Sequence, residues 1–212
     1  MGALQKIINP EIGIVIFIGS AHEQGFNTLQ QKIQEKLLLF TNSKKIIYCT
    51  DEVELNIEVN NFITTKNYSL QKFTWSKKTN ANLFIEKIFT ENKTTTISCL
   101  YKNEKFDFAI PFTDEAAIHN AISCCCTLLI LNINPNKIAT KMKQLKPLAM
   151  RLELKQGINN CSIINDAYSA DLQSLSISLD FLEQQKQHPK RTVILSDVLQ
   201  SNCSGTCWQK YQ

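Results

Sequence analysis

The sequence predicts an α/β protein: a three-layer domain with a largely parallel sheet over residues 1–148, then the start of a second α/β unit over residues 149–212. Three observations predict it. Ile12-Gly13-Ile14-Val15-Ile16-Phe17-Ile18 is a continuous β-branched and aromatic run, the pattern of a strand buried on both faces of a parallel sheet. Helix and strand patterns alternate after it, as βαβ units require. Lys146-Pro147 then reads as a hinge, because proline restricts its own φ and its predecessor's conformation, and strand and helix signals begin again beyond it.

The elements follow in order. The run over 12–18 is expected at the centre of the sheet. From Thr28 to Phe40, apolar residues recur at Leu29, Ile33, Leu37 and Phe40, which is helical spacing, and Lys44 to Cys49 reads as the next strand. A helix is expected over Glu52 to Phe62. Strand patterns follow at Leu70 to Trp75, Leu83 to Phe89, Thr94 to Tyr101 and Phe106 to Ile110. They predict an antiparallel element around residues 70–110, the last two strands forming a hairpin about Lys102-Asn103-Glu104-Lys105. Thr113-Asp114-Glu115 supplies a helix start, and the helix runs through Ala117, Ile118, Ala121 and Ile122 to Leu129, apolar enough to be largely buried. Pro135 opens a shorter helix to Met142. Beyond the hinge, strands are expected at Leu152 to Leu154, Ser162 to Asn165 and Thr192 to Leu195, with a helix at Leu172 to Gln185.

Composition narrows the function. Apolar residues make up 43% and charged residues 20% of the chain, which is globular and not disordered. The net charge of +4 is scattered in pairs such as Lys44-Lys45 and Lys77-Lys78, with no basic stripe interleaved with aromatics, so no nucleic-acid partner is expected. The apolar runs at 12–18 and 121–131 fall short of the roughly 20 residues that cross a bilayer, and no membrane association is expected. No secretory signal precedes the eight cysteines, which therefore read as reduced cytoplasmic thiols. Cys124-Cys125-Cys126 lie in the apolar helix, where successive side chains diverge and cannot converge on one metal. Cys203 and Cys207 lack a partner pair or a flanking His. Both ends of the chain read as cut.

Three segments carry chemistry together. The first is Ile18-Gly19-Ser20-Ala21-His22-Glu23-Gln24-Gly25-Phe26, followed by Lys36, fourteen residues after His22. The second is Pro111-Phe112-Thr113-Asp114-Glu115-Ala116-Ala117-Ile118-His119-Asn120-Ala121. The third is Met150-Arg151-Leu152-Glu153-Leu154, then Asn165-Asp166-Ala167-Tyr168-Ser169 leading into a helix. Their kind and order resemble the Mur ligases. The resemblance implies a P-loop-type three-layer central domain, here without its N-terminal part, followed by the start of a Rossmann-like C-terminal domain.

In that family the His helps to hold a magnesium ion and the lysine is carbamylated, so the resemblance makes His22 and Lys36 the candidate Mg²⁺ ligands and, with Arg151, the catalytic residues. Carbamylation turns an ammonium into an oxygen ligand suited to a hard cation. Phe17 stands where the family usually carries Asn. Asn120 takes the place of the amide over the adenine of ATP, since an amide can both donate to and accept from a base edge. Arg151 takes that of the guanidinium on the ATP phosphates, where charge is redistributed, and Asp166 that of a nucleotide contact, with Tyr168 shaping its loop. The implied activity is ATP-dependent amide formation through an acyl phosphate. The Asp-x-Tyr-Ser wording fits best the member acting on UDP-N-acetylmuramoyl-tripeptide and D-alanyl-D-alanine. No Gly-x-x-x-x-Gly-Lys-Ser/Thr loop occurs in the chain, so these residues are expected to be inactive alone. A non-catalytic α/β protein that binds a nucleotide or a partner is the alternative.

Overall fold

The computed structural model describes residues 1–18, 26–146, 152–168 and 172–195. The chain divides into two compact units, one of Met1–Ile18 with Thr28–Lys146, the other of Gly19–Asn27 with Pro147–Gln212.

The larger unit is built on a six-stranded sheet in the order β1 to β6. Strands β1 (Ile12–Ile14), β2 (Lys45–Cys49), β3 (Gln71–Ser76) and β4 (Leu83–Glu91) are parallel. β5 (Thr94–Tyr101) and β6 (Glu104–Ile110) add antiparallel hairpins. Helices α2 (Leu29–Leu37) and α3 (Val53–Thr65) join β1 to β2 and β2 to β3. α4 (Glu115–Ile130) and α5 (Pro135–Met142) follow the hairpins.

Alternation along the strands sorts the helices into layers. Ile46 and Tyr48 of β2 pack with Ile33 and Leu37 of α2 and Leu55, Val59 and Phe62 of α3. Their neighbours Ile47 and Cys49 join Trp75, Ile97 and Phe108 against Ile118, Ile122 and Cys125 of α4 and Ile138 and Met142 of α5. Each fully buried side chain of this size contributes about 1.5–3 kcal/mol, so the two cores together hold the three layers. The fold is the mixed α/β class that the alternating patterns predict.

The helix starts follow local chemistry. The Thr28 side chain accepts the Gln31 N–H at 3.1 Å, and Asp114 accepts the Ala117 N–H at 2.8 Å. Asn134 caps α5, whose first residue is Pro135.

Four expectations are corrected. The run over 12–18 forms a strand only at Ile12–Ile14, and that strand lies at the edge of the described sheet with a partner on one side. Ile14, Ile16 and Phe17 are exposed: the run has the apolarity of a two-sided strand, but pairing needs neighbours as well. Gly13 is explained by packing, since a Cβ there would meet the Phe40 ring at 2.6 Å. A short helix α1 (Gly2–Ile8) precedes β1 and was not expected; left-handed Asn9 followed by Pro10 stops it.

The third correction concerns β3, which belongs to the parallel part of the sheet. β4 starts beside its last two residues, Trp75 opposite Leu83 and Ser76 opposite Phe84, and continues onward. The antiparallel element is therefore confined to residues 83–110. Fourth, the segment at 192–195 is irregular and has no strand partner among the described residues. The smaller unit contains the antiparallel pair β7 (Glu153–Gln156) and β8 (Ser162–Asn165) and the helix α6 (Leu172–Gln184).

Candidate functional site

In open α/β sheets, ligands bind outside the carboxyl ends of the parallel strands. β2 and β3 bring two polar turns to that end of the sheet. After β2 comes Thr50-Asp51-Glu52, and β3 ends in Ser76, followed by Lys77-Lys78-Thr79. Asp51 ties them together: Oδ1 accepts from Ser76 Oγ at 2.5 Å and Oδ2 from the Lys77 N–H at 2.8 Å. Ser76 Oγ in turn accepts the Lys78 and Thr79 N–H groups at 2.9 and 2.8 Å. Side chains thus satisfy the turn's orphan amides, and its shape is fixed.

α4 meets this turn through His119. The imidazole is packed edge-on to Trp75 with centroids 5.0 Å apart and an interplanar angle of 87°. Its Nε2 lies 3.2 Å from Lys77 Nζ and 3.8 Å from Glu115 Oε1. Burial, then the Lys77 charge, push the His119 pKa below its ordinary value, against smaller opposing effects of Glu115 and Asp51. Asn120, next in the chain, is exposed.

Lys36 stands half-buried in the last turn of α2. That helix is held to α3 by Glu58, buried at 3% exposure, whose carboxylate oxygens accept from Gln30 and Gln34 Nε2 at 2.8 and 2.7 Å. Amides one turn apart on α2 therefore bind one carboxylate, which fixes the rotation of the helix that carries Lys36.

In the smaller unit, Asp166 is occupied by its own fold. Oδ1 accepts the Leu152 N–H at 3.1 Å, and Oδ2 accepts from Ser178 Oγ. It thereby links the ends of the β7–β8 pair to α6, and Tyr168 beyond it is exposed. His22 and Arg151 lie outside the described residues, as do Ser169, Cys203 and Cys207.

The donor chemistry bears differently on the two implied cofactors. Among the described residues no three His, Cys, Asp or Glu come together as a metal site. Lys36 fits Mg²⁺ only after carbamylation, since an ammonium repels the cation. The exposed Asn120 amide fits a nucleobase edge as it stands. No helix among the described residues is long and apolar enough to cross a membrane.

The sequence did not single out Asp51, Ser76, Lys77 or His119. The signal for the first three was present as polar residues at the ends of two buried strands, and His119 stands within the second segment, but which turn faces which helix is a tertiary fact.

This sheet, with helices on both faces and polar turns at the carboxyl ends of β2 and β3, defines a three-layer domain of the mixed α/β class. Residues 1–128 match the Mur ligase middle domain. The chain belongs to the Mur ligase family. It is 26% identical over 200 residues to the UDP-N-acetylmuramoyl-tripeptide--D-alanyl-D-alanine ligase of Bacillus subtilis (strain 168), an alignment covering 93% of this chain and 41% of that one. Among solved structures it resembles MurF from Acinetobacter baumannii, with a TM-score of 0.72 at 18% identity, over 87% of this chain and 40% of that one. It likewise resembles the MurF ligase of Thermotoga maritima in complex with ADP, with a TM-score of 0.66 at 16% identity, over 86% of this chain and 41% of that one. The chain thus spans about two fifths of the length of these relatives.

Proposed function

We propose that this chain is part of an ATP-dependent ligase that joins D-alanyl-D-alanine to UDP-N-acetylmuramoyl-tripeptide in cytoplasmic peptidoglycan synthesis. The observation that carries the reading is the match to the Mur ligase middle domain over residues 1–128; relatives acting on those substrates support the finer assignment. In this reading residues 1–148 belong to the nucleotide-handling central domain and residues 149–212 to the C-terminal domain. When bound, ATP activates the tripeptide carboxylate as an acyl phosphate, and Mg²⁺ offsets the phosphate charge.

The chain's own groups have separate tasks. Asn120 presents its amide to the adenine edge. Lys36, once carbamylated, and His22 would hold the cation, and the Glu58 clamp keeps the helix that bears Lys36 in place. Arg151 would supply the phosphates with a guanidinium that remains charged, and Asp166 would shape the loop next to the nucleotide. The 212 residues contain no glycine-rich phosphate loop, and backbone N–H groups of such a loop carry much of the affinity for phosphates. The chain by itself should therefore hold ATP weakly, and the missing loop equally motivates a non-catalytic binding protein as the second reading.

The test uses a longer protein that joins these residues to a glycine-rich phosphate loop and a UDP-sugar-binding domain. It should convert ATP to ADP only when both UDP-N-acetylmuramoyl-tripeptide and D-alanyl-D-alanine are supplied. ATP turnover indifferent to the dipeptide would overturn the substrate assignment. No turnover with either substrate, in a folded protein that binds Mg-ATP, would establish the second reading.

A further inference from the structure

The contact between His119 and Lys77 has no part in phosphoryl chemistry, yet it lies beside the amide proposed to read the base. An ammonium has three donors and no acceptor, so at 3.2 Å Lys77 Nζ donates and His119 Nε2 accepts. The geometry therefore requires a neutral imidazole with its proton on Nδ1. The same Nε2 lies 3.8 Å from Glu115 Oε1, one turn earlier on α4. A protonated Nε2 could donate only to that carboxylate, whose Oε1 also lies 4.0 Å from Lys77 Nζ, while its charge would face the Lys77 ammonium.

We propose that His119 is a positioning residue for Asn120: neutral, it latches the turn after β3 onto α4 by accepting from Lys77, and protonated, it repels Lys77 and competes with it for Glu115. The role in base binding rests on the reading of Asn120 given above.

The charged groups around the imidazole come from every element packed against it: Lys77 from the turn after β3, Glu115 from α4 itself, and Asp51 from the turn after β2. Lys77 is held from behind, because its N–H is bound to Asp51 and its neighbours' amides are bound to Ser76. Trp75 is fully buried and keeps the ring in place. Burial also disfavours the imidazolium, so the latch is closed at neutral pH and opens in acid.

The test is NMR on the whole 212-residue chain, following imidazole nitrogens from pH 4.5 to 8.5 with adenosine as the probe. His119 should carry its proton on Nδ1 at pH 7.5 and titrate below the usual ~6.5. The amides of Lys78, Thr79 and Asn120 should shift with the same midpoint. Lys77→Met should move that midpoint upward, and Lys77→Gln should do so with less loss of packing. Adenosine should perturb the Asn120 side chain and bind about threefold to tenfold more weakly at pH 5.5 than at 7.5, because the competent fraction falls. His119→Gln supplies an acceptor that cannot titrate, so binding at pH 7.5 should persist and its pH dependence should vanish.

A proton on Nε2 at pH 7.5, or a midpoint indifferent to Lys77→Met, overturns the latch. Adenosine that leaves Asn120 unperturbed overturns the reading of Asn120 and with it the positioning role, while the imidazole titration still reports whether the latch exists.

Discussion

Lys36 illustrates how far a residue's value as a ligand depends on its covalent state. An unmodified ammonium beside Mg²⁺ adds a repulsion, whereas a carbamate adds a negative oxygen. In the longer ligase, Lys36→Ala should therefore lower turnover by about 100-fold or more, the upper end of what disturbing a metal site costs. A short carboxylic acid should partly restore it by occupying the place of the carbamate. His22→Ala should also slow the enzyme, but a carboxylate should not rescue a missing imidazole. Steady-state rates with and without acetate measure both, and near-normal turnover of Lys36→Ala would remove Lys36 and His22 from the site. Lys36 and Asn120 were proposed from the sequence because each sits at a fixed spacing within a local motif. His119 was not: it stands in the same motif as Asn120, but its significance comes from Lys77, 42 residues away in sequence.

At the scale of elements, the two hairpins show what local sequence decides. Glu91 pairs with Thr94 and Tyr101 with Glu104, so both turns have two residues, and all four turn residues have positive φ: Asn92 45°, Lys93 65°, Lys102 51° and Asn103 65°. These are type I′ turns, whose twist suits a hairpin and whose second position favours glycine. Lysine there bears the left-handed strain of a Cβ. Lys93→Gly should stabilise the chain by about 0.5–1 kcal/mol, raising the urea midpoint at an unchanged slope; a lowered midpoint would show that the lysine makes a compensating contact. The β5–β6 hairpin was legible from two strand patterns around a polar turn. The parallel pairing of β3 was not, because its apolar and polar residues suit either direction and only the crossover through α3 sets it. Nor was the edge position of β1, since an apolar run reports burial and does not identify neighbours.

For the molecule as a whole, the core on the α4 and α5 side contains an unusual number of thiols. Cys49, Cys99, Cys125 and Cys126 belong to one buried cluster, whereas Cys124, just before Cys125 on α4, is exposed. Burial pushes Cys49 up to about 11 and Cys125 up to about 12, and raises Cys99 and Cys126 as well. On the other face burial pushes Tyr48, whose hydroxyl donates to Asn56 Oδ1 at 2.9 Å, up to about 12. In the unfolded chain these thiols ionise near ~8.5 and the phenol near ~10. Above those values the unfolded state has lost protons that the folded state keeps. Stability is then fully present at neutral pH and falls as pH rises from about 9 toward the folded values, by about 1.4 kcal/mol per pH unit for each thiol still protonated in the fold. The urea midpoint should accordingly decline steeply between pH 8.5 and 10.5, and the decline should become shallower in Cys99→Ala and Cys125→Ala, which remove a titrating group each. Thermal unfolding under reducing conditions should show the same order, separating proton release from oxidation. A midpoint that stays level to pH 10.5 would mean that these thiols are not protected from ionisation by the core, and the packing of α4 onto the sheet would have to be reconsidered.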